Sequence, residues 1–233
     1  MIHRPHSLTI RRATCKIMQK MNDNKMECLQ DLIDVCLLRG ADGADIEWGN
    51  CATSISHEVI HWSFSNNDSH APSHQLIRLN DEQLNLGNEA LNNAARALGK
   101  NLPRRPAVTR LLLRNYYQVA WSQSCYTVTT IKGDSVPGGT ARATTMSQLH
   151  PGNHNLYVFD QDRDGWFQFV RRAWVQIDSL PRLTGVYAGI ASQDLKPNGR
   201  DAIRKLIGSL ISTCPQSPLQ CEKNPGMIGE LAD

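Results

Sequence analysis

The chain has 233 residues, 25 of them basic and 22 acidic, and a formal net charge of +3. The length allows one large domain or two small ones, and so mild a charge does not by itself indicate a nucleic-acid or membrane partner. We find no apolar run of about 18 residues and no secretory h-region, so we predict no membrane span and no signal peptide. The seven cysteines lack paired C-x-x-C spacing, which indicates reduced thiols and an intracellular protein, cytoplasmic or in the nucleus or nucleoid.

The N-terminal residues 1–25 are basic and polar, and we predict a flexible arm there. A nucleic-acid-binding arm, a transit peptide and a disordered start are all compatible with this composition. Apolar residues at helical spacing before Gly40 predict a helix over residues 26–39. A short strand is expected at residues 44–48.

The pentapeptide HEVIH at residues 57–61 matches the H-E-x-x-H pattern and lies in a helix predicted for residues 50–65. On a helix, residues four apart share a face, so His57 and His61 can bind one Zn²⁺ ion. Glu58 would then lie near the open position of the metal and take a proton from the bound water. The apolar side chains of this predicted helix point away from the histidines: Ile55, Val59 and Trp62.

A third zinc ligand is needed, and the first candidate is His70, with His74 as an alternative. The run HEVIHWSFSNNDSHAPSHQLIRLN resembles the SprT-like (spartan-type) metalloproteases, in which H-G-x-x-[FW] on a second helix follows the motif. Here Ala71 replaces the glycine, and His74 stands where an aromatic residue is usual. The resemblance implies a zincin fold in which an edge strand aligns the peptide substrate, and cleavage of proteins bound to DNA.

The second candidate for the third ligand is Glu89, within a helix predicted for residues 87–98. Gluzincins place a glutamate on a helix downstream of the motif. The antirestriction metallopeptidases of phages and plasmids similarly combine H-E-x-x-H-W-[ST] with such a glutamate. The metzincin pattern is excluded because Phe64 and Asn67 stand where glycine and histidine are required. His70 and Glu89 both remain open.

The segment at residues 101–106 contains two prolines and is the expected domain boundary. We predict an α+β chain with a zincin-like helical N-terminal half and a β-rich C-terminal half closed by a helix. The predicted regions are a metal-binding region at 26–102, a β-rich region at 107–213 and a loose tail at 214–233.

Patterns in the C-terminal half alternate between helical and β periodicity. Residues 133–155 form a predicted long loop, whose Pro137-Gly138-Gly139-Thr140 lacks the G-K-[ST] ending of a phosphate loop. The other predicted elements are two short helices at 74–79 and 108–118, strands at 125–132, 156–159, 166–170, 173–177 and 185–190, and a helix at 198–211.

These observations predict a zinc-dependent metallopeptidase that acts on a protein or peptide substrate, with Glu58 as general base. The alternative is a non-enzymatic protein that binds nucleic acid. Its basic residues would be Arg104, Arg105, Arg110 and Arg114, near two tyrosines. A further alternative is a metalloprotease effector from a phage, plasmid or pathogen.

Overall fold

A computed structural model describes residues 34–41, 43–67, 69–151, 155–179, 183, 185–192 and 194–212. The strands are β1 (Val35–Leu38), β2 (Glu58–Phe64), β3 (Leu76–Leu79), β4 (Ser124–Thr129), β5 (Asn155–Asp160), β6 (Gly165–Val170), β7 (Ala173–Ile177) and β8 (Val186–Ala191). The helices are α1 (Ala44–Ser54), α2 (Asp81–Asn85), α3 (Asn88–Ala97), α4 (Pro106–Leu113), α5 (Asn115–Ala120), α6 (Thr140–Leu149) and α7 (Pro197–Ser212), with a 3₁₀ turn at Ser73–Gln75.

All eight strands form one mixed sheet in the order β3-β2-β1-β8-β4-β5-β6-β7. The strands from β3 to β5 in this order are parallel, and β6 and β7 extend the sheet as antiparallel hairpins. The prediction of an α+β chain is confirmed at this level, because helices and a mixed sheet are both present.

Helices cover both faces of the sheet and give the molecule three layers. On one face, α1 and α7 pack over the side chains of Cys36 and Leu38. On the opposite face, α2 to α6 pack over Val35 and Leu37. Successive residues of a strand point to opposite faces of the sheet. A parallel strand that is covered on both faces therefore needs apolar side chains at even and odd positions alike. None of the described helices is long and apolar enough to cross a membrane.

Several local predictions for the N-terminal half are wrong. Residues 44–48 begin α1 and do not form a strand, and the predicted helix at 50–65 is the end of α1 followed by β2. Residues 76–79 form β3 where a helix was expected. Within the predicted helix at 26–39, residues 35–38 form β1, and residues 26–33 lie outside the described part of the chain.

The helix prediction at 50–65 is wrong because β2 lies between β1 and β3 in the sheet, where both faces of the strand are covered. All seven residues from Glu58 to Phe64 are buried. A strand buried on both faces has no simple alternation, so its apolar residues fit a helical repeat equally well. The N-terminal half therefore contains three parallel strands together with α1, α2 and α3.

The C-terminal half agrees better with prediction. The strands, the hairpin, the α4–α5 region and the closing helix α7 lie close to their predicted positions. The exception is the predicted loop at 133–155, which contains α6.

The predicted boundary does not separate two sheets. β1 pairs with β8, and so joins residues 26–102 to residues 107–213 in one sheet. The break at 101–106 is the connection between α3 and α4. The predicted arm at 1–25 and tail at 214–233 lie outside the described residues.

Candidate functional site

The two motif histidines do not lie on a helix. His57 precedes β2, and His61 is the fourth residue of that strand. Along a strand, four residues span about 13 Å, so the two side chains share a face but stand far apart. One Zn²⁺ ion requires imidazole nitrogens at about 2.0–2.1 Å from the metal. The strand therefore does not bring His57 and His61 together as the predicted helix would have done.

His61 is a buried side chain beneath α1. Its Nε2 would lie 3.2 Å from a Cβ added at Gly49, and Nδ1 has no hydrogen-bond partner among the described residues. Burial lowers the pKa of His61 to about 4, partly offset by the nearby Asp45 carboxylate. The imidazole is therefore neutral at neutral pH and behaves as a core residue.

His57 belongs to a polar cluster at the amino end of the sheet. Its Nδ1 lies 3.0 Å from the Tyr187 hydroxyl, and its Nε2 lies 3.6 Å from Asp34 Oδ2. Glu58 points to the opposite face of β2, because neighbouring strand residues alternate. Burial raises the pKa of Glu58 to about 7. Glu58 thus does not lie beside His57 as general base to a shared metal.

The three candidates for the third ligand lie in different places. His70 is exposed in the loop after β2, His74 is exposed in the 3₁₀ turn, and Glu89 is exposed in the first turn of α3. Within the described ranges, no group of three or more His, Cys, Asp or Glu residues is placed to hold a metal ion. The zinc site was predicted on a helix, and residues 58–64 form a strand instead. Zinc-peptidase activity stays a prediction.

The four arginines predicted to contact nucleic acid do not form one exposed face. Arg104 and Arg105 are exposed, whereas Arg110 binds Asp81 and lies over the Phe64 ring. Arg114 is buried, and its Nη1 donates to the Arg39 carbonyl at 2.7 Å.

A different constellation lies at the carboxyl edge of the sheet. After β4 the chain crosses through α6 on one face, and after β8 it continues into α7 on the other. Where adjacent parallel strands send their helices to opposite faces, a crevice opens outside their carboxyl ends, and ligands of open α/β sheets bind there. The β4–β8 boundary is such a switch point.

Two loops converge at this point over the end of β8. Arg39, directly after β1, donates from Nη2 to the Ala191 carbonyl oxygen at 2.8 Å. Thr140, the first residue of α6, donates from Oγ1 to the same oxygen at 3.3 Å. The loop that enters α1 and the loop that enters α6 are thereby held together.

The Arg39 guanidinium is fixed by a buried carboxylate. Asp45 lies in the first turn of α1, 3.3 Å from Arg39 Nε, and it accepts the Ala41 N–H at 3.2 Å. Arg114, between α4 and α5, contacts the same loop at the Arg39 carbonyl. Burial, together with the charge of Arg39, lowers the pKa of Arg114 to about 10, so its guanidinium stays protonated at neutral pH. Two cations and one carboxylate therefore surround the end of β1.

The helices α1 and α6 both begin at this edge with glycine. Gly43 precedes α1 with φ 82°, and Gly138 lies before α6 with φ 68°. No side chain of the described residues caps either helix. Gly138 and Gly139 are exposed, and a Cβ at Gly138 would meet nothing within 4 Å. The backbone just before α6 is thus exposed at the helix end where the dipole favours an anion, whereas Thr140 and Ala141 are themselves buried.

Buried polar atoms without hydrogen bonds lie at the ends of β4 and β5. Thr129 and Asp160 are paired across these strands, and both are buried. Among the described residues, Thr129 Oγ1 and Asp160 Oδ2 have no hydrogen-bond partner, although Arg163 Nε lies 3.4 Å from Oδ2. Because buried polar groups are nearly always hydrogen-bonded, these atoms mark a place where a ligand or water is expected.

A concave surface lies between the β6–β7 hairpin and the first turns of α7. Its volume is about 480 Å³, and Trp166 and Ile177 contribute to its lining. The charged lining residues are Asp164, Asp178, Asp201 and Lys205. These charged side chains are exposed, and the cleft lacks the converging loops of the carboxyl edge. We therefore regard the carboxyl edge as the stronger candidate.

Comparison with known proteins yields no matching family model, curated protein or solved structure. The candidate site consequently rests on its geometry. Sequence reasoning missed Arg39, Asp45 and Thr140. The available signal was a buried apolar run followed by glycines, at residues 35–43, and the glycine pair before residue 140.

Proposed function

We propose that this protein binds a phosphorylated small molecule of the nucleotide class in the crevice at the ends of β1, β8 and β4. The observation that carries the proposal is the shared acceptor: Arg39 and Thr140 both donate to the Ala191 carbonyl. This contact brings the starts of α1 and α6 to one switch point, the usual ligand position in open α/β sheets.

The phosphate would lie against the start of α6. Exposed backbone at Gly138 and Gly139 allows close approach, and the positive end of the α6 dipole favours the anion. Arg39, which shares the Ala191 acceptor with Thr140, supplies positive charge at the same edge. Its ion pair with Asp45 holds the guanidinium in place, so little side-chain entropy is lost when the ligand binds.

The sugar hydroxyls would be recognised by the polar groups at the ends of β4 and β5. Asp160 is a hydrogen-bond acceptor when ionised, and Thr129 can both donate and accept. Asp160 Oδ2 and Thr129 Oγ1, which accept or donate no hydrogen bond among the described residues, gain hydrogen-bond partners when a hydroxyl or a bridging water enters. A ligand with both a phosphate and adjacent hydroxyls uses the whole crevice, which favours a nucleotide over inorganic phosphate.

Isothermal titration of the purified full-length chain with ADP, AMP, adenosine and inorganic phosphate tests the proposal. We expect ADP and AMP to bind and adenosine to bind at least about tenfold more weakly, a difference of about 1.4 kcal/mol. Absence of binding by both nucleotides contradicts the proposal.

The matched variants are Gly138→Asp and Gly138→Asn. Both side chains tolerate the positive φ of Gly138, and only the aspartate adds negative charge at the start of α6. We expect Gly138→Asp to weaken ADP binding about tenfold relative to Gly138→Asn. Gly208→Asp, in open space on α7, controls for the change in net charge. Equal ADP affinity of the two Gly138 variants argues against phosphate binding at α6.

A further inference from the structure

Strand β7 forms one edge of the sheet. Its hydrogen-bonded neighbour is β6, and no other strand within the described residues pairs with it. Trp174 Nε1 donates to the Asp134 carbonyl at 3.2 Å and so ties β7 to the loop after β4. The outer side of β7 is therefore a fixed row of backbone donors and acceptors.

This edge lacks the charged and proline residues that often protect an edge strand from pairing. The sequence of β7 is Ala-Trp-Val-Gln-Ile, without charge or proline, and Val175 is 48% exposed. Natural edge strands are commonly protected by charged side chains, proline, bulges or short length. The opposite edge, β3, follows this rule with four residues that include the exposed Arg78. The two edges thus differ in chemistry.

The turn between β6 and β7 determines which backbone groups point outward. Arg171 and Arg172 form a two-residue connection, and both have positive φ, 49° and 67°. In such a hairpin, the residues that flank the turn, Val170 and Ala173, form a hydrogen-bonded pair. Alternation then directs the N–H and C=O groups of Trp174 and Gln176 away from β6.

We infer that β7 pairs antiparallel with β7 of a second copy of this chain, around a two-fold axis at Val175. This register pairs the outward groups of Trp174 with those of the partner's Gln176, and the reverse. It also places Arg172 opposite the partner's Asp178, giving two exposed opposite-charge pairs at the ends of the interface. The edge is thus self-complementary in backbone groups and in charge, as a two-fold interface requires.

The pairing does not depend on the proposed ligand. β7 is separated from the β4–β8 boundary by β5 and β6, so the crevice stays open in the dimer. Each copy contributes an eight-stranded sheet, and the pair forms one continuous sheet. Because the contact is one short strand from each copy, we expect a weak and concentration-dependent dimer.

Sedimentation velocity of the full-length chain from about 1 µM to about 500 µM tests the inference. A residue on the two-fold axis faces the same residue of the other copy. Val175→Lys and Val175→Asp therefore each place like charges opposite one another. We expect each variant to raise the dimer dissociation constant about tenfold. A mixture of the two should form a one-to-one heterodimer at least as tight as the wild-type dimer.

Val170→Lys is the matched control, because Val170 is 39% exposed on the same hairpin but lies on β6, away from the edge. We expect this variant to dimerise like the wild type. A monomeric wild type across the whole range overturns the inference, as does a dimer that both Val175 variants leave unchanged. Formation of the heterodimer in the mixture of Val175→Lys and Val175→Asp shows that both variants are folded. The loss of dimer in each variant alone therefore cannot be attributed to unfolding.

Discussion

Arg39 and Thr140 lie far apart in the sequence and donate hydrogen bonds to the same carbonyl oxygen, that of Ala191. The acceptor is the last residue of β8, which the sheet inserts between β1 and β4. A carbonyl oxygen has two lone pairs, so one acceptor can fix two loops without leaving either donor unpaired. The final strand thereby holds together the starts of α1 and α6.

Replacing Thr140 by valine tests this connection. The variant keeps the β-branched shape and loses the hydroxyl donor, so we expect a loss of about 0.5–1.5 kcal/mol in unfolding free energy. The start of α6 is also released from β8, so ADP affinity should fall about fivefold, or about 1 kcal/mol. Urea unfolding and isothermal titration measure the two effects.

Thr144→Val is the control on the same helix, since its hydroxyl donates to the carbonyls of Thr140 and Ala141 within α6. It should have a similar stability cost and leave ADP affinity unchanged. If both variants weaken binding equally, the contact from Thr140 to Ala191 has no specific role.

The ion pair between Arg39 and Asp45 is predicted to be thermodynamically coupled. Asp45 is buried, and Asp45→Asn leaves the largely buried guanidinium without its charged partner. We expect a loss of about 2–4 kcal/mol, somewhat below the usual cost for a fully buried pair because Arg39 is partly exposed. Arg39→Met combined with Asp45→Asn should be less destabilised than the sum of the single variants. Additive losses in urea unfolding contradict the coupling.

His61 and Glu58 predict opposite pH dependences of stability. Burial holds the folded-state pKa of His61 at about 4, against 6.5 for the free side chain. As pH falls from 6.5 towards 4, His61 is protonated in the unfolded chain before it is protonated in the folded chain. The unfolding free energy therefore decreases over this range. Burial raises the pKa of Glu58 from 4.5 to about 7, so its contribution is lost as pH rises from 4.5 towards 7.

The two contributions are each at most about 3 kcal/mol and overlap in the same pH range, so we expect them largely to cancel in the wild type. Glu58→Gln removes the contribution that decreases as pH rises and leaves the contribution of His61. The unfolding free energy of this variant should then increase with pH between about 4.5 and 6.5. The same variant should be more stable than wild type at pH 8, where Glu58 is buried and charged. Urea unfolding at several pH values measures this, and a Glu58→Gln profile parallel to the wild type argues against it.

The parts of the fold that the sequence could predict are those where local pattern and environment agree. The hairpin at 156–170 was predicted because its turn residues and alternation act locally, and α7 because one of its faces is exposed. β2 was missed because pairing with β1 and β3, far from any local signal, buries both of its faces. The predicted zinc site depended on that helix, since a spacing of four residues brings His57 and His61 together only on a helix.

The candidate site was harder to predict for a related reason. Arg39 and Thr140 meet only because β8, near the end of the described chain, inserts between β1 and β4. A glycine before a helix is a weak signal by itself, and which loops share an edge depends on strand order. Strand order is a long-range property that one sequence does not reveal.

Gly189 in β8 gives a direct test of how tightly the sheet packs against α1. An added Cβ would lie 2.8 Å from both Leu38 Cδ2 and Trp48 Cγ, and both of those side chains are fully buried. Gly189→Ala should therefore cost about 1–3 kcal/mol through overpacking, because neither neighbour can move towards solvent. Gly208→Ala is the matched control in α7, where a Cβ meets nothing within 4 Å. It should stabilise the protein by about 0.5–1 kcal/mol through the helix propensity of alanine. The midpoints of thermal and urea unfolding of the two variants should shift in opposite directions. Destabilisation of both variants would contradict the open space at Gly208 on α7.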